Sequence, residues 1–167
     1  VTQMSTGLVS FGRLREVIRQ SREPLDEGDY LPTGELRGDL RFEQVSFSYE
    51  GADDELVLNG IDLHAEPGKT IALMGAAGSG KTSLVNLLPR FYDYENGRIL
   101  LDGIDLTAYP RGYLRLQIGM VQQEPFLFSA TIRDNIAYGA GREVTDEEIY
   151  EAAKAAAVHD VILSFPK

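Results

Sequence analysis

Residues 75 to 82 carry the residue types that phosphate binding requires, at the spacing it requires. They read Gly-Ala-Ala-Gly-Ser-Gly-Lys-Thr, which is the P-loop pattern G-x-x-x-x-G-K-[ST]. The glycines let consecutive backbone N–H groups converge on an anion, and the following helix directs its positive dipole end to the same place. Lys81 adds a full charge suited to β- and γ-phosphates, and the Thr82 hydroxyl is suited to Mg²⁺. The pattern predicts that this chain binds a nucleoside triphosphate.

The residues of the predicted phosphate cradle follow one another without a gap. They are Gly75, Ala76, Ala77, Gly78, Ser79, Gly80, Lys81, Thr82 and Ser83.

The segments beside this loop supply the strand and the helix that a P-loop joins. Lys69 to Met74 is an apolar run of strand length, and Leu84, Val85, Leu87 and Leu88 form the apolar face of a helix. A glycine-rich turn without a ligand is the ordinary alternative. The order strand, loop and helix favours the P-loop.

Composition narrows the possible functions. The 167 residues have a net charge of −10, with 43% hydrophobic and 25% charged residues. This acidic balance argues against a nucleic-acid partner, because phosphate backbones require clustered Lys and Arg. The absence of Cys excludes disulfides and thiolate metal sites, and His64 and His159 lack metal-ligand spacing. No apolar run reaches the ~18 residues of a membrane span, and the start at Val1 suggests a piece of a longer polypeptide.

The patterning divides the chain into two parts. From Thr6 to Gln20 apolar residues recur at helical spacing beside several arginines, and an acidic stretch with Pro and Gly follows from Glu23 to Gly38. We therefore predict a helix and linker in residues 1–38 and a folded unit in residues 39–167. The basic face of the helix fits either a solvated surface or contact with anionic lipid head groups.

Alternating apolar residues predict an antiparallel β-subdomain in segments 39–63 and 96–106. A break in the alternation at Glu43-Gln44 indicates a bulge. Asn96-Gly97 is typical of a hairpin turn, and Asp102-Gly103 predicts another turn.

Asp102 also ends an apolar strand, as the second Mg²⁺-binding Asp of P-loop enzymes does. Gly103 follows it where a hydrolytic site usually has an acid. We therefore do not assign Asp102 to the metal.

The last part of the chain predicts a strand and a long helix. Ile118 to Gln122 reads as a short buried strand. Thr145 and Glu148 form a capping box that opens an Ala-rich helix to about Leu163.

Three stretches together resemble the nucleotide-binding domain of an exporter-type ABC transporter. Val45 to Tyr49 is similar to the A-loop, residues 75–82 are the P-loop, and Ile118 to Phe128, continuing to Ile136, is similar to the Q-loop region. The first 38 residues resemble the segment that leads from the last transmembrane helix of an exporter into its ATPase domain. The resemblance runs through most of the chain. It implies an α/β fold, a P-loop NTPase core of parallel sheet and helices with an antiparallel β-subdomain, incomplete at the C-terminus.

The resemblance implies roles for particular side chains. Tyr49 would stack on the adenine of ATP, and Gln123, as the Q-loop glutamine, would ligate Mg²⁺ and sense the γ-phosphate. Lys81 and Gln123 would act in catalysis, and Thr82 would be a metal ligand beside Gln123. The ordinary alternatives are a strand aromatic for Tyr49 and a solvated glutamine for Gln123.

The resemblance also implies partners. These are the membrane-spanning domain of the same transporter and a second, identical or different, nucleotide-binding domain, at the cytoplasmic face of the cell membrane. Pro125, Phe126 and Phe128 would meet the coupling helices of the membrane domain, or else belong to the core.

The chain departs from the family at its end. It stops at Lys167, before the places of the signature motif, the Walker B Asp, the catalytic Glu and the switch His. Since phosphoryl transfer depends on a positioned nucleophile, we expect weak nucleotide binding and no meaningful hydrolysis by these residues alone. The alternatives to an exporter are a soluble ABC-type ATPase without a membrane partner and a non-hydrolysing ATP-binding interaction module. A P-loop kinase is disfavoured because no lid-like Arg cluster follows the site.

Overall fold

The computed structural model describes residues 22–51 and 55–165, together with residues 11, 14, 15 and 18–20. Within the predicted N-terminal helix, Phe11, Leu14, Arg15, Ile18 and Arg19 are helical. The rest of that predicted helix lies outside the described residues. Across the part of the chain described here, every helix is too short or too polar to cross a bilayer.

Four antiparallel strands form a twisted-sheet subdomain that confirms the predicted one. They are β1 (Leu40–Phe47), β2 (Leu58–Ala65), β3 (Asn96–Leu101) and β4 (Ile104–Asp105), in the spatial order β2-β1-β3-β4. In the central strand β1 the buried residues are Phe42, Val45, Ser46 and Phe47. The sheet therefore presents one apolar face to the core.

The helices are short and lie mostly after the sheet. They are α1 (Lys81–Asn86), α2 (Arg111–Gln117), α3 (Ile132–Ala137), α4 (Asp146–Ala155) and α5 (His159–Leu163), with 3₁₀ turns at Leu106–Ala108 and Tyr138–Ala140. The main core joins the sheet to α1 and α2. Its buried side chains are Phe42, Val45, Phe47, Leu58, Leu84, Leu87, Ile99, Leu101, Leu106, Tyr109 and Leu114.

The predicted bulge in β1 is confirmed at Gln44. Its φ of 50° is left-handed, and the pairing of β1 with β2 shifts register between Phe42 and Val45. The carboxylate of Asp62 accepts the Gln44 backbone N–H at 2.9 Å, which satisfies a donor that the bulge removes from the ladder.

The predicted hairpin turn at Asn96-Gly97 is wrong. Asn96 opens β3 and pairs with Ser46 of β1, and Gly97 has a φ of 87° opposite the bulge. A Cβ at position 97 would collide with the backbone of Glu43 and Gln44, so this glycine is required by a close approach and not by a turn. The hairpin turn lies instead at Asp102-Gly103, where φ values of 52° and 82° suit a type I′ turn between β3 and β4.

The carboxylate of Asp102 has a structural use. It accepts backbone N–H groups from Arg37 at 2.6 Å and from Asp39 at 2.9 Å. These bonds hold the start of β1 against the β3–β4 turn.

The predicted capping box is confirmed, but the long helix is not continuous. Thr145 accepts the Glu148 N–H at 3.3 Å, and the Glu148 side chain accepts the Thr145 N–H at 2.9 Å. The helix predicted to reach Leu163 breaks after Ala155 and restarts at His159, because Ala157 adopts a left-handed φ of 56°.

Two predicted strands are wrong for the described residues. Residues 69–74 and 118–122 have no regular secondary structure and pair with no strand, and Met74 and Val121 are 91% and 101% exposed. A parallel strand is stable only with hydrogen-bonding neighbours and covered faces. Every strand pair in the described part of the chain is antiparallel, so these segments have no such neighbour.

The predicted linker is docked on the folded unit. The Tyr30 N–H donates to Ala108 O at 3.0 Å, and the Gly112 N–H donates to Leu25 O at 2.9 Å. The Tyr30 ring meets the buried Tyr109 ring edge to face, with centroids 5.2 Å apart.

An ion-pair network holds the start of this linker. Arg115 donates to both carboxylate oxygens of Glu23 at 2.7 and 2.6 Å, and Arg111 donates to Glu23 at 3.0 Å and to Asp93 at 2.7 Å. The pKa of Glu23 is lowered to about 2, and the largest cause is the hydrogen bonding from Arg115. Burial of the carboxylate opposes this shift, and the hydrogen bond from Arg111 adds to it. The linker is therefore tied to α2 by charge-assisted bonds.

Candidate nucleotide-binding site

The glycines of the predicted P-loop are required by its backbone. Gly78 and Gly80 have φ values of 81° and 82°, a region that favours glycine. Gly80 is buried, and a Cβ there would lie 2.8 Å from Leu58 Cδ2. Its carbonyl accepts the Leu84 N–H at 2.8 Å, which starts α1 directly after the loop. The loop conformation therefore depends on small residues at these positions.

The ammonium group of Lys81 lies inside the loop. It donates to Gly75 O at 3.0 Å, to Ala76 O at 2.7 Å and to Ser79 Oγ at 3.1 Å. These three acceptors are neutral, and no carboxylate pairs with Lys81 in the described part of the chain. The loop thus concentrates an uncompensated positive charge, which suits an anionic ligand.

The other predicted cradle residues divide by exposure. Residues 75–79 and Thr82 are exposed, so the loop backbone and the Thr82 hydroxyl are accessible to a ligand. Ser83 is only 6% exposed and faces the interior. The buried Ser83 side chain therefore supports the site through its neighbours and not through direct contact with a ligand.

Tyr49 is brought to the same helix. Its hydroxyl lies 2.8 Å from Ser83 Oγ, and its half-buried ring packs against Phe47 and Tyr92. The structure thus joins the predicted base-stacking residue to the predicted phosphate-binding helix through one hydrogen bond.

Gln123 is not joined to the loop. It is exposed in a bend, and among the described residues no hydrogen bond links it to residues 75–83. Pro125, Phe126 and Phe128 are also exposed, with Phe126 at 76%, so they belong to the surface and not to the core. The Phe126 and Phe128 rings meet edge to face at 5.0 Å.

The sequence reasoning missed Tyr92. This tyrosine follows α1 and lies 5.0 Å from Tyr49 between ring centroids. The adjacent aromatic pair Phe91-Tyr92, exposed at a helix end, was the available signal.

Known proteins resemble this chain over most of its length. Residues 58–165 match the family model described as ABC transporter. A Bacillus subtilis (strain 168) protein, named as a multidrug export ATP-binding/permease protein, is 45% identical to this chain over 166 residues. The match covers 99% of this chain and 28% of that protein. The ATP-dependent lipid A-core flippase of Hahella chejuensis (strain KCTC 2396) is 47% identical over 144 residues, covering 85% of this chain and 24% of the flippase.

A solved structure has the same fold. The structure of a bacterial Atm1-family ABC exporter with ATP bound superposes with a TM-score of 0.77 at 34% identity, covering 97% of this chain and 28% of that one. The chain thus spans about a quarter of the length of the relatives it matches. The predicted α/β fold of an ABC ATPase is confirmed, and the chain belongs to the ABC transporter family.

Proposed function

We propose that this chain is the ATP-binding part of an exporter, in which ATP binding and hydrolysis drive transport of a substrate across a membrane. The observation that carries the proposal is the Lys81 ammonium, held inside a glycine-shaped loop by neutral oxygens only. The family match and the exporters among the relatives support the same function.

The site residues divide the work of binding ATP. The backbone of residues 75–83 and Lys81 bind the phosphates, and Tyr49 stacks on the adenine. Exchange of the three neutral acceptors of Lys81 for phosphate oxygens strengthens each bond, since charge-assisted hydrogen bonds are the stronger ones.

Thr82 and Gln123 hold Mg²⁺ in this proposal. In the described part of the chain, no group of three or more His, Asp or Glu side chains is placed to hold a metal ion. A hydroxyl and an amide oxygen suit Mg²⁺ that is otherwise bound by phosphates and water. The metal supplies neutralisation of the charge that develops on the phosphates. Gln123 lies in an exposed bend, so its side-chain amide is accessible to a ligand.

The exposed aromatic surface supports the proposed partners. Phe126 is accessible beside the Q-loop, where coupling helices of a membrane-spanning domain would meet it. Residues 1–38 lead from that domain, and residues 39–167 begin the ATPase domain at the cytoplasmic face of the membrane. A second nucleotide-binding domain would complete the ATP site.

Mutation of Lys81 tests the proposal. In the full-length protein, Lys81→Ala removes the loop's only ammonium, and we expect Mg-ATP affinity to fall at least ~10-fold, with phosphate release falling to background. The matched control is Lys154→Ala, an exposed lysine that pairs with Glu151 in α4. For both variants, the rate of ATP hydrolysis is measured as released phosphate, and the affinity for Mg-ATP is measured by calorimetry. Equal activity in the two variants contradicts the proposal.

A further inference from the structure

The ring of Tyr49 is held by two other aromatic side chains. Its centroid lies 4.8 Å from that of Phe47 and 5.0 Å from that of Tyr92, with interplanar angles of 79° and 89°. Both angles are edge-to-face arrangements, which aromatic rings prefer over face-to-face contact. Phe47 is only 2% exposed and anchors the group in the core, while Tyr92 is 42% exposed.

A third restraint acts at the hydroxyl of Tyr49. It lies 2.8 Å from Ser83 Oγ, and Ser83 is 6% exposed within α1. A hydroxyl bond fixes where the ring points but leaves the ring free to turn about its long axis, since this torsion is broad. Two nearly perpendicular neighbouring rings restrict that rotation, and Tyr92 is the more exposed of the two.

A cavity of about 470 Å³ opens beside these rings, and Tyr49, Tyr92 and Phe91 contribute to its lining. The Tyr92 ring therefore faces the space beside the residue that is assigned to base stacking. Stacking depends on the plane of the aromatic ring, so a residue that fixes the plane controls the contact.

We propose that Tyr92 is a positioning residue of the base-binding site, which holds the Tyr49 ring in the plane that accepts the nucleobase. This inference rests on the proposed function and extends it to the base half of the ligand. Its effect is limited to ligands that have a base.

The experiment compares Mg-ATP with Mg-tripolyphosphate, which has the phosphates without the base, as ligands of the full-length protein. We expect Tyr92→Leu to weaken ATP binding ~5–10-fold and to change tripolyphosphate binding less than twofold. Tyr92→Phe keeps the ring and should restore ATP binding. Tyr150→Leu is the matched control, because Tyr150 is 49% exposed and meets the His159 ring edge to face at 5.7 Å, outside the aromatic group.

A double mutant shows whether Tyr92 acts through Tyr49. In the Tyr49→Leu background, Tyr92→Leu should cause no further loss of ATP affinity, since the positioned ring is already absent. A further loss in that background overturns the proposal, as does equal weakening of both ligands by Tyr92→Leu or an unchanged ATP affinity. If Tyr92→Leu does not fold, as judged by its thermal transition, Tyr92→Met is compared in the same way.

The result also separates this inference from the proposed function. Failure of the wild-type protein to bind either ligand in a Lys81-dependent manner removes the proposed function. Lys81-dependent binding of both ligands, with an ATP preference that Tyr92→Leu leaves intact, removes only the role of Tyr92.

Discussion

At the scale of single residues, three hydrogen bonds hold the positively charged ammonium group of Lys81 inside the loop. Its ammonium has three hydrogen-bond donors and three neutral acceptors in Gly75, Ala76 and Ser79. The side chain is therefore ordered before a ligand arrives, and part of the entropy cost of fixing a long lysine is already met by folding. In the proposed function, phosphate oxygens would take the place of these three acceptors.

Gly80 and Gly78 allow the backbone and packing requirements of the loop to be measured separately. Both have a left-handed φ, but a Cβ on Gly80 would meet Leu58 and Val57, whereas nothing lies within 4 Å of a Cβ on Gly78. We expect Gly78→Ala to cost about 1 kcal/mol of unfolding free energy from strain alone. Gly80→Ala should cost about 2–4 kcal/mol because steric overlap is added. Denaturant unfolding of the ATP-binding domain measures both, and equal costs would contradict this assignment.

Much of the site could be predicted from residues 75 to 83 alone, because local sequence determines a glycine turn and the start of a helix. The bonds of Lys81 and the φ of Gly80 follow from that local pattern. The contact of Tyr49 with Ser83 spans 34 positions and depends on how β1 packs on α1. Periodicity contains no information on such contacts, so Tyr92 was missed.

At the scale of elements, two features of the sequence specify the β-subdomain. One is the alternation of apolar residues, and the other is the set of positions where the backbone must be left-handed. The bulge at Gln44 and the glycine at Gly97 lie opposite each other, so that each accommodates the other. In sequence, Asn96-Gly97 looks like a turn because a left-handed glycine serves turns and bulges equally well.

The linker network predicts a response to acid. The pKa of Glu23 is about 2 in the folded protein, against an ordinary value of 4.5 for a glutamate. The charged Glu23 therefore supports linker docking fully above about pH 4.5, and this support is lost as the pH falls toward 2. Hydrogen exchange of residues 22–31, corrected for intrinsic rates, should accelerate over this window.

A neutral variant should reproduce this effect without acid. We expect Glu23→Gln to show fast linker exchange at pH 7, while Glu27→Gln, an exposed glutamate of the same linker, should behave as wild type. Identical protection in both variants would show that the ion pairs do not hold the linker.

The break between α4 and α5 offers a stabilising substitution. Ala157 has a φ of 56°, which costs an L-residue about 1–2 kcal/mol and glycine almost nothing. After the greater chain entropy of glycine in the unfolded state is subtracted, Ala157→Gly should raise the unfolding free energy by up to about 1 kcal/mol. Ala152→Gly, at an exposed position inside α4, should lower it by about 1 kcal/mol. A higher melting temperature for the second variant would contradict the assigned backbone conformation.

At the scale of the whole molecule, the two missing strands show where local pattern reaches its limit. Residues 69–74 and 118–122 have the composition of parallel strands, yet such strands form only beside partners. Ile71, Met74 and Val121 are consequently 45%, 91% and 101% exposed. The composition of these two segments is typical of strands, but a strand also requires a paired neighbour, and among the described residues neither segment has one.

This exposure predicts the behaviour of the 167 residues when they are produced alone. Exposed apolar segments that pair with no strand promote association, so we expect oligomers and strong binding of a hydrophobic dye. We also expect phosphate release near background, because the described residues contain no group of three or more His, Asp or Glu side chains placed to hold a metal ion. Light scattering and a phosphate assay at several protein concentrations check both points. A dye-silent monomer with Lys81-dependent turnover would contradict both expectations.

The Glu23 network has a mechanical consequence. A pull on the chain ahead of residue 23 would reach two arginine forks on α2 before it reached any strand, because Glu23 is bonded to Arg111 and Arg115. Arg111 continues the path to Asp93, just beyond Tyr92. Tension in the linker would thus be delivered to the chain segment that borders the aromatic rings.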